Sequence, residues 1–92
     1  MQYQPKVIDL FCGCGGMSWG LHKKGFHILL GIDTWEKALV TYAYNHKNTE
    51  ALNADISKIN PRELRIKLGL EKEELDVIIG GPPCQGFSKN VP

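Results

Sequence analysis

An α/β domain with a mostly parallel sheet and flanking helices is predicted by three observations along this 92-residue chain. Short apolar runs alternate with stretches of helical period, in the order β-α-β-α-β-α-β, which favours a parallel sheet. A cluster of glycines follows the first run at once. A second turn-rich stretch, Gly80-Gly81-Pro82-Pro83-Cys84-Gln85-Gly86-Phe87-Ser88, follows the last. Both loops then lie at the carboxyl ends of strands, where open α/β sheets bind their ligands.

Val7-Ile8-Asp9-Leu10-Phe11 is the first strand, apolar and rich in β-branched residues. In Cys12-Gly13-Cys14-Gly15-Gly16, three glycines in four positions let the backbone turn sharply and leave room for a ligand. A short helix follows over Met17 to Lys24, with Met17, Leu21 and Trp19 facing inward and Gly25 placed to end it. Phe26 to Ile32 forms the second strand and ends in Asp33. That acid lies roughly 20 residues past the glycine loop, the separation at which nucleotide-binding units present a carboxylate to a ribose hydroxyl. Thr34 or Asp33 can cap the next helix, about Trp35 to Asn45, whose Ala38, Leu39, Tyr42 and Ala43 repeat at helical spacing. Ala51-Leu52-Asn53-Ala54 is a weaker strand, closed by Asp55 and Ile56. Asn60-Pro61 reads as a cap followed by proline at the first helical position. Leu64, Ile66, Leu68 and Leu70 supply apolar contacts there, and Gly69 ends the helix. Lys67, Glu71, Lys72, Glu73 and Glu74 form a solvated corner. Asp76-Val77-Ile78-Ile79 then reads as a buried fourth strand leading into the Cys84 loop, which Pro82-Pro83 stiffens.

The totals bound the function. Ninety-two residues make one small domain. A hydrophobic content of 42% and a charged content of 23% are ordinary for a globular protein and argue against disorder. A net charge of +1 gives no support for DNA binding by this chain alone. The longest apolar run, Ile28-Leu29-Leu30-Gly31-Ile32, is too short to cross a membrane. The first residues lack a signal-peptide pattern, so a reducing compartment, the bacterial cytoplasm, is expected. Three cysteines, Cys12, Cys14 and Cys84, argue against a disulfide framework. Cys12-x-Cys14 is tighter than zinc spacing and no further ligand pair completes a site, so no metal is expected. His22, His27 and His46 are scattered and read as surface or ordinary packed residues.

The glycines select among ligands. Gly13-x-Gly15-Gly16 lacks the third glycine of a dinucleotide fingerprint, because Ser18 stands there, and no Gly-Lys-Ser/Thr phosphate loop is present. Acids lining the crevice would repel phosphates. A nucleoside with an amino-acid tail fits better, and S-adenosylmethionine is such a molecule.

Asp9-Leu10-Phe11-Cys12-Gly13-Cys14-Gly15-Gly16 resembles the first motif of the DNA (cytosine-5)-methyltransferases, D-L-F-x-G-x-G-G. Gly81-Pro82-Pro83-Cys84-Gln85-Gly86-Phe87-Ser88 looks like that family's catalytic motif. Thr41-Tyr42-x-x-Asn45-His46 and Ala54-Asp55-Ile56 match the pattern between them, in order. The resemblance implies a partial Rossmann-like S-adenosylmethionine-dependent methyltransferase fold, with residues 1–92 as the N-terminal portion of the catalytic domain. It implies restriction-modification chemistry on double-stranded DNA. It also implies roles for individual residues. Phe11 stacks near the adenine, while the backbone of Gly13, Cys14, Gly15 and Gly16 holds the methionine tail. Asp33, with Thr34 beside it, meets the ribose. Asp55 accepts from the adenine amino group with Ile56 packed beside it. Pro83 shapes the pocket, Cys84 is the nucleophile, and Gln85 and Ser88 contact the substrate. The family often has a second acid two residues after the ribose acid; here Trp35 stands there, which is expected to alter packing more than chemistry.

A thiol is needed because carbon 5 of cytosine is a poor nucleophile. Thiolate addition at carbon 6 creates an enamine-like ring whose carbon 5 can take a methyl group. The family's Glu-Asn-Val motif, Arg-x-Arg motif and target-recognition region do not occur in these residues. The expected whole is therefore this half joined to a missing C-terminal part or a complementing subunit. The chain alone is expected to be inactive, with its fourth strand at a sheet edge. The alternatives are a non-catalytic S-adenosylmethionine-binding or assembly module and, less well matched to the glycines, a nicotinamide-binding fragment.

Overall fold

The computed structural model of the chain describes residues 3–81. The expected residues Pro83, Cys84, Gln85 and Ser88 lie outside them. Four strands, β1 (Lys6–Leu10), β2 (His27–Asp33), β3 (Glu50–Asn53) and β4 (Val77–Gly80), form one sheet in the order β3-β2-β1-β4. Every pairing is parallel, as the alternating pattern predicts. The connections carry helices α1 (Gly16–Lys23), α2 (Glu36–Asn45) and α3 (Pro61–Lys67), with a 3₁₀ turn at Ile56–Lys58 before α3.

The two central strands, β1 and β2, are buried on both faces, and an irregularity in β2 sets which of its residues faces which side. The register runs Val7↔Ile28 and then Ile8↔Leu30, so Leu29 is an extra residue opposite β1. A one-residue insertion moves the next side chain to the other face. Ile28 thus shares a face with Val7, while Leu30 and Ile32 share the opposite face with Ile8 and Leu10, and Val7, Ile28, Leu30 and Ile32 are all buried. On the first face Asp9 and Gly31 meet α1 and α2 through Ser18 and Tyr42. On the second, Ile8, Leu30 and Ile32 form a cluster bordered by Leu52, Ile56, Leu64 and Leu68. Between that cluster and α3 lies an apolar groove of about 330 Å³ that reaches Ile78.

The helix ends follow the sequence signals. Asn60 Oδ1 accepts from the Glu63 amide at 3.1 Å, with Pro61 at the first helical position. α1 closes through Gly25, at φ +89°: the Gly25 amide donates to His22 O and the Phe26 amide to Leu21 O. This paired pattern is the Schellman closure. α3 repeats it, with Gly69 donating to Ile66 O and Leu70 to Arg65 O. Gly25→Ala is expected to cost about 1 kcal/mol in urea denaturation, because a Cβ is disfavoured in the left-handed region. Gly25→Asn should cost less. Equal stability of the alanine variant and the wild type would contradict the closure.

Several expectations are corrected. Met17 and Trp19 do not face inward; they are 52% and 50% exposed, and Leu21 is half-buried. The inward residue of α1 is Ser18, fully buried because Asp9 and Tyr42 supply its hydrogen bonds. Neither Thr34 nor Asp33 caps α2; Trp35 is its N-cap, without a side-chain bond. Ala43 faces solvent, one position past buried Tyr42 of α2, and Ile66 faces solvent on α3, where Leu64 and the C-cap Leu68 are half-buried. β4 is an edge strand, as expected, but it is not buried: Ile78 is 62% exposed, since β4 pairs with β1 alone among the described residues. No helix among the described residues is long and apolar enough to cross a membrane.

Candidate cofactor crevice

Parallel strands bring the carboxyl ends of β1, β2 and β3 to one end of the sheet, where the expected site residues gather. β1 ends at Leu10 and Phe11 leaves it at φ +55°. That conformation is unusual for a bulky residue and clusters at ligand sites. It leaves the Phe11 ring 39% exposed at the mouth of the crevice, where a flat ring can stack. The glycine loop follows, pinned by Cys12 N–H to Ile32 O at 2.8 Å and Gly15 N–H to Cys12 O at 2.9 Å. Gly13 has φ +55° and Gly15 φ +99°. A Cβ at Gly13 or Gly16 would meet no atom within 4 Å, so the loop backbone faces open space on that side. A pocket of about 380 Å³ runs along Cys14, Gly15 and Gly16 to Trp19 and His46.

Asp33 ends β2 and addresses this loop directly. Its Oδ2 accepts from the Gly13 amide at 2.8 Å and its Oδ1 from the Trp35 amide at 2.8 Å. Each oxygen keeps a lone pair for a ribose hydroxyl. Thr34 is exposed at the rim, its carbonyl accepting from Asn53 Nδ2 at 3.0 Å. Asp55 follows β3 and caps the 3₁₀ turn, accepting at Oδ1 from Ser57 N–H at 2.9 Å and from Ser57 Oγ at 2.8 Å. Those bonds hold its carboxyl below the ordinary aspartate range. Ile56, half-buried, packs beside the Ile8–Leu30–Ile32 cluster. Trp35, where the family often has a second acid, is an exposed indole.

The two cysteines of the loop differ. Cys14 is exposed. Cys12 is buried, and burial pushes its thiol up to about 12, which makes it an inert packing group.

A family model described as C-5 cytosine-specific DNA methylase matches residues 5–90. The chain belongs to this family. It is 43% identical over 83 residues to the Type II methyltransferase M.AgeI of Thalassovita gelatinovora, an alignment that covers 90% of this chain and 19% of M.AgeI. Its fold matches a protein of an E. coli prophage described as a DNA modification methyltransferase, with a TM-score of 0.79 at 36% identity over 91% of this chain and 24% of that one. It also matches a triple mutant of Spodoptera frugiperda DNMT2, with a TM-score of 0.74 at 28% identity over 97% of this chain and 26% of that one. The chain thus spans about a fifth to a quarter of the length of these relatives.

The residues present fit an S-adenosyl cofactor. The loop backbone is open for an amino-acid tail, and two carboxylates stand where a phosphate ligand would be repelled but hydroxyls and an amine can donate. Sequence reasoning missed a buried group behind the loop. Asp9, 1% exposed near the carboxyl end of β1, accepts from Ser18 Oγ at 2.5 Å, and Ser18 Oγ lies 2.9 Å from Tyr42 OH. Burial pushes the Asp9 carboxyl up from the usual range, and the Ser18 bond opposes that shift. The signal was available: an acid inside the apolar run Val7-Ile8-Asp9-Leu10 needs a partner, and a serine opens the next helix.

Proposed function

We propose that residues 1–92 are the cofactor-binding half and nucleophile loop of a DNA (cytosine-5)-methyltransferase, a partial catalytic domain whose target-recognition region is supplied by further sequence or by a complementing chain. The reading rests chiefly on one observation: in a chain of this family, the glycine loop, Asp33 and Asp55 converge at the carboxyl end of one parallel sheet. S-adenosylmethionine, when bound, supplies an electrophilic methyl group on sulfur. The Gly13 to Gly16 backbone holds its tail, Asp33 and Thr34 receive the ribose, Phe11 stacks on the adenine, and Asp55 accepts from the adenine amino group beside Ile56. Cys84, with Pro83 shaping the pocket and Gln85 and Ser88 against the base, adds as thiolate to carbon 6 of a cytosine flipped from double-stranded DNA. Carbon 5 would then take the methyl group as the S–CH3 bond breaks and S-adenosylhomocysteine leaves as a neutral thioether, and loss of the carbon-5 proton to solvent water with release of the Cys84 thiolate would restore the ring. The setting is the bacterial cytoplasm, as for restriction-modification enzymes.

The protein at its natural length is expected to bind S-adenosylhomocysteine in a calorimetric titration. Asp33→Ala should weaken that binding by roughly tenfold or more, the loss of charge-assisted hydrogen bonds. Binding of a nicotinamide dinucleotide instead would overturn the cofactor reading. Cofactor binding without cytosine methylation would replace the enzyme with a non-catalytic binding or assembly module.

A further inference from the structure

We propose that Asp9, Ser18 and Tyr42 form a clasp that positions the glycine loop for the cofactor's amino-acid tail, so that Ser18 and Tyr42 are positioning residues for ligand binding. This rests on the loop being the tail-binding segment.

The clasp closes the loop at both ends. Asp9 is the next-to-last residue of β1 and Ser18 lies in the first turn of α1, so their 2.5 Å bond joins the two stems of the segment between them. Ser18 has one hydroxyl proton. With that proton given to Asp9 Oδ2, the contact with Tyr42 is made by the tyrosine donating to Ser18 Oγ. The chain of donors is therefore Tyr42 to Ser18 to Asp9, and it links α2, α1 and β1. All three residues are fully buried or nearly so.

The Tyr42 ring does a second task. A Cβ on Gly15 would lie 2.8 Å from Tyr42 Cδ2 and 2.5 Å from His46 Nε2, so the ring and the imidazole press against the loop backbone at its buried glycine. His46 is stacked on Tyr42 with ring centroids 4.5 Å apart. The loop is thus held from behind at Gly15 and at its stems, while Gly13 and Gly16 face open space in front. The hydroxyl chain fixes where the ring sits, and the ring fixes where the loop's amides point. A polar chain buried only for stability would have no reason to favour one part of a ligand over another.

The test separates these roles by ligand. S-adenosylhomocysteine carries nucleoside and amino-acid tail; 5′-methylthioadenosine carries the nucleoside and sulfur alone. Both are titrated calorimetrically into the wild-type protein, Ser18→Ala and Tyr42→Phe, each at natural length. Ser18→Ala is expected to lose roughly tenfold in affinity for S-adenosylhomocysteine and to keep its affinity for 5′-methylthioadenosine. Tyr42→Phe, which keeps the ring on Gly15, should show the same selective loss at roughly threefold. If Ser18→Ala fails to fold, Tyr42→Phe decides alone. Parallel losses for both ligands, or no loss for either, would reject the clasp as a positioning device. A wild type that binds neither ligand would reject the cofactor reading itself, and the clasp with it.

Discussion

Cys84→Ser is expected to abolish methyl transfer to cytosine in the protein at its natural length, a drop of roughly a thousandfold or more, while leaving the affinity for S-adenosylhomocysteine unchanged. The reason lies in the nucleophile. A free cysteine, at pKa ~8.5, already supplies a few per cent of thiolate at neutral pH, and its site can raise that share. A serine hydroxyl supplies almost none without a strong base beside it. Addition to carbon 6 would then become the barrier that covalent catalysis exists to avoid. Neither other cysteine can substitute. Cys12 is buried with its thiol pushed up to about 12, and Cys14 belongs to the glycine loop that follows β1. Retained activity in Cys84→Ser, measured as tritiated methyl incorporated into DNA, would sink the assignment of the nucleophile.

The second large effect is on stability. Gly31→Ala should cost about 3 kcal/mol, at the upper end of overpacking penalties. An alanine Cβ there would stand 2.5 Å from Tyr42 Cε1 and 2.6 Å from its hydroxyl oxygen. The ring cannot retreat: it is fully buried, stacked on His46, pressed against Gly15 and tied to Ser18. A domain of this size holds only about 5–15 kcal/mol in total, so the loss is a large share. Gly20→Ala is the control. It lies within α1, where a Cβ meets no atom within 4 Å, and it should gain about 0.5–1 kcal/mol. Urea denaturation of the two variants checks both signs; a Gly31→Ala cost below about 1 kcal/mol would show that the slot over the strand can widen.

The succession of strands and helices along the chain and the two glycine-closed helices were legible because their causes are local. Gly25 and Gly69 announce left-handed closures, and Asn60-Pro61 announces a helix start, whatever lies nearby. The place of Asp33 beside the glycine loop was legible because strand end and spacing alone put it there, where it accepts from Gly13. What escaped depended on partners distant in the chain. Nothing within the apolar run of β2 marks Leu29 as the residue that β1 skips. Met17 and Trp19 are apolar and were expected inside, yet Ser18 displaced them because Asp9 and Tyr42 reach it from other elements. Ile78 looks like a core residue by composition, and its exposure follows from the open side of β4.

The central strand also sets a schedule for synthesis. β1 is the third strand from one edge, between β2 and β4, yet it is made first. Its pairing with β2 becomes available early, whereas Val7 meets Val77 only after 44 further residues (77 − 33) have followed β2. At the ordinary pace of a ribosome that delay is roughly 2 to 10 seconds. For that time the nascent chain presents the second edge of β1, the strand that carries Ile8 and Leu10, unpaired. Slow codons between β3 and β4 would lengthen this window, and a chaperone that shields a bare strand would be most useful within it.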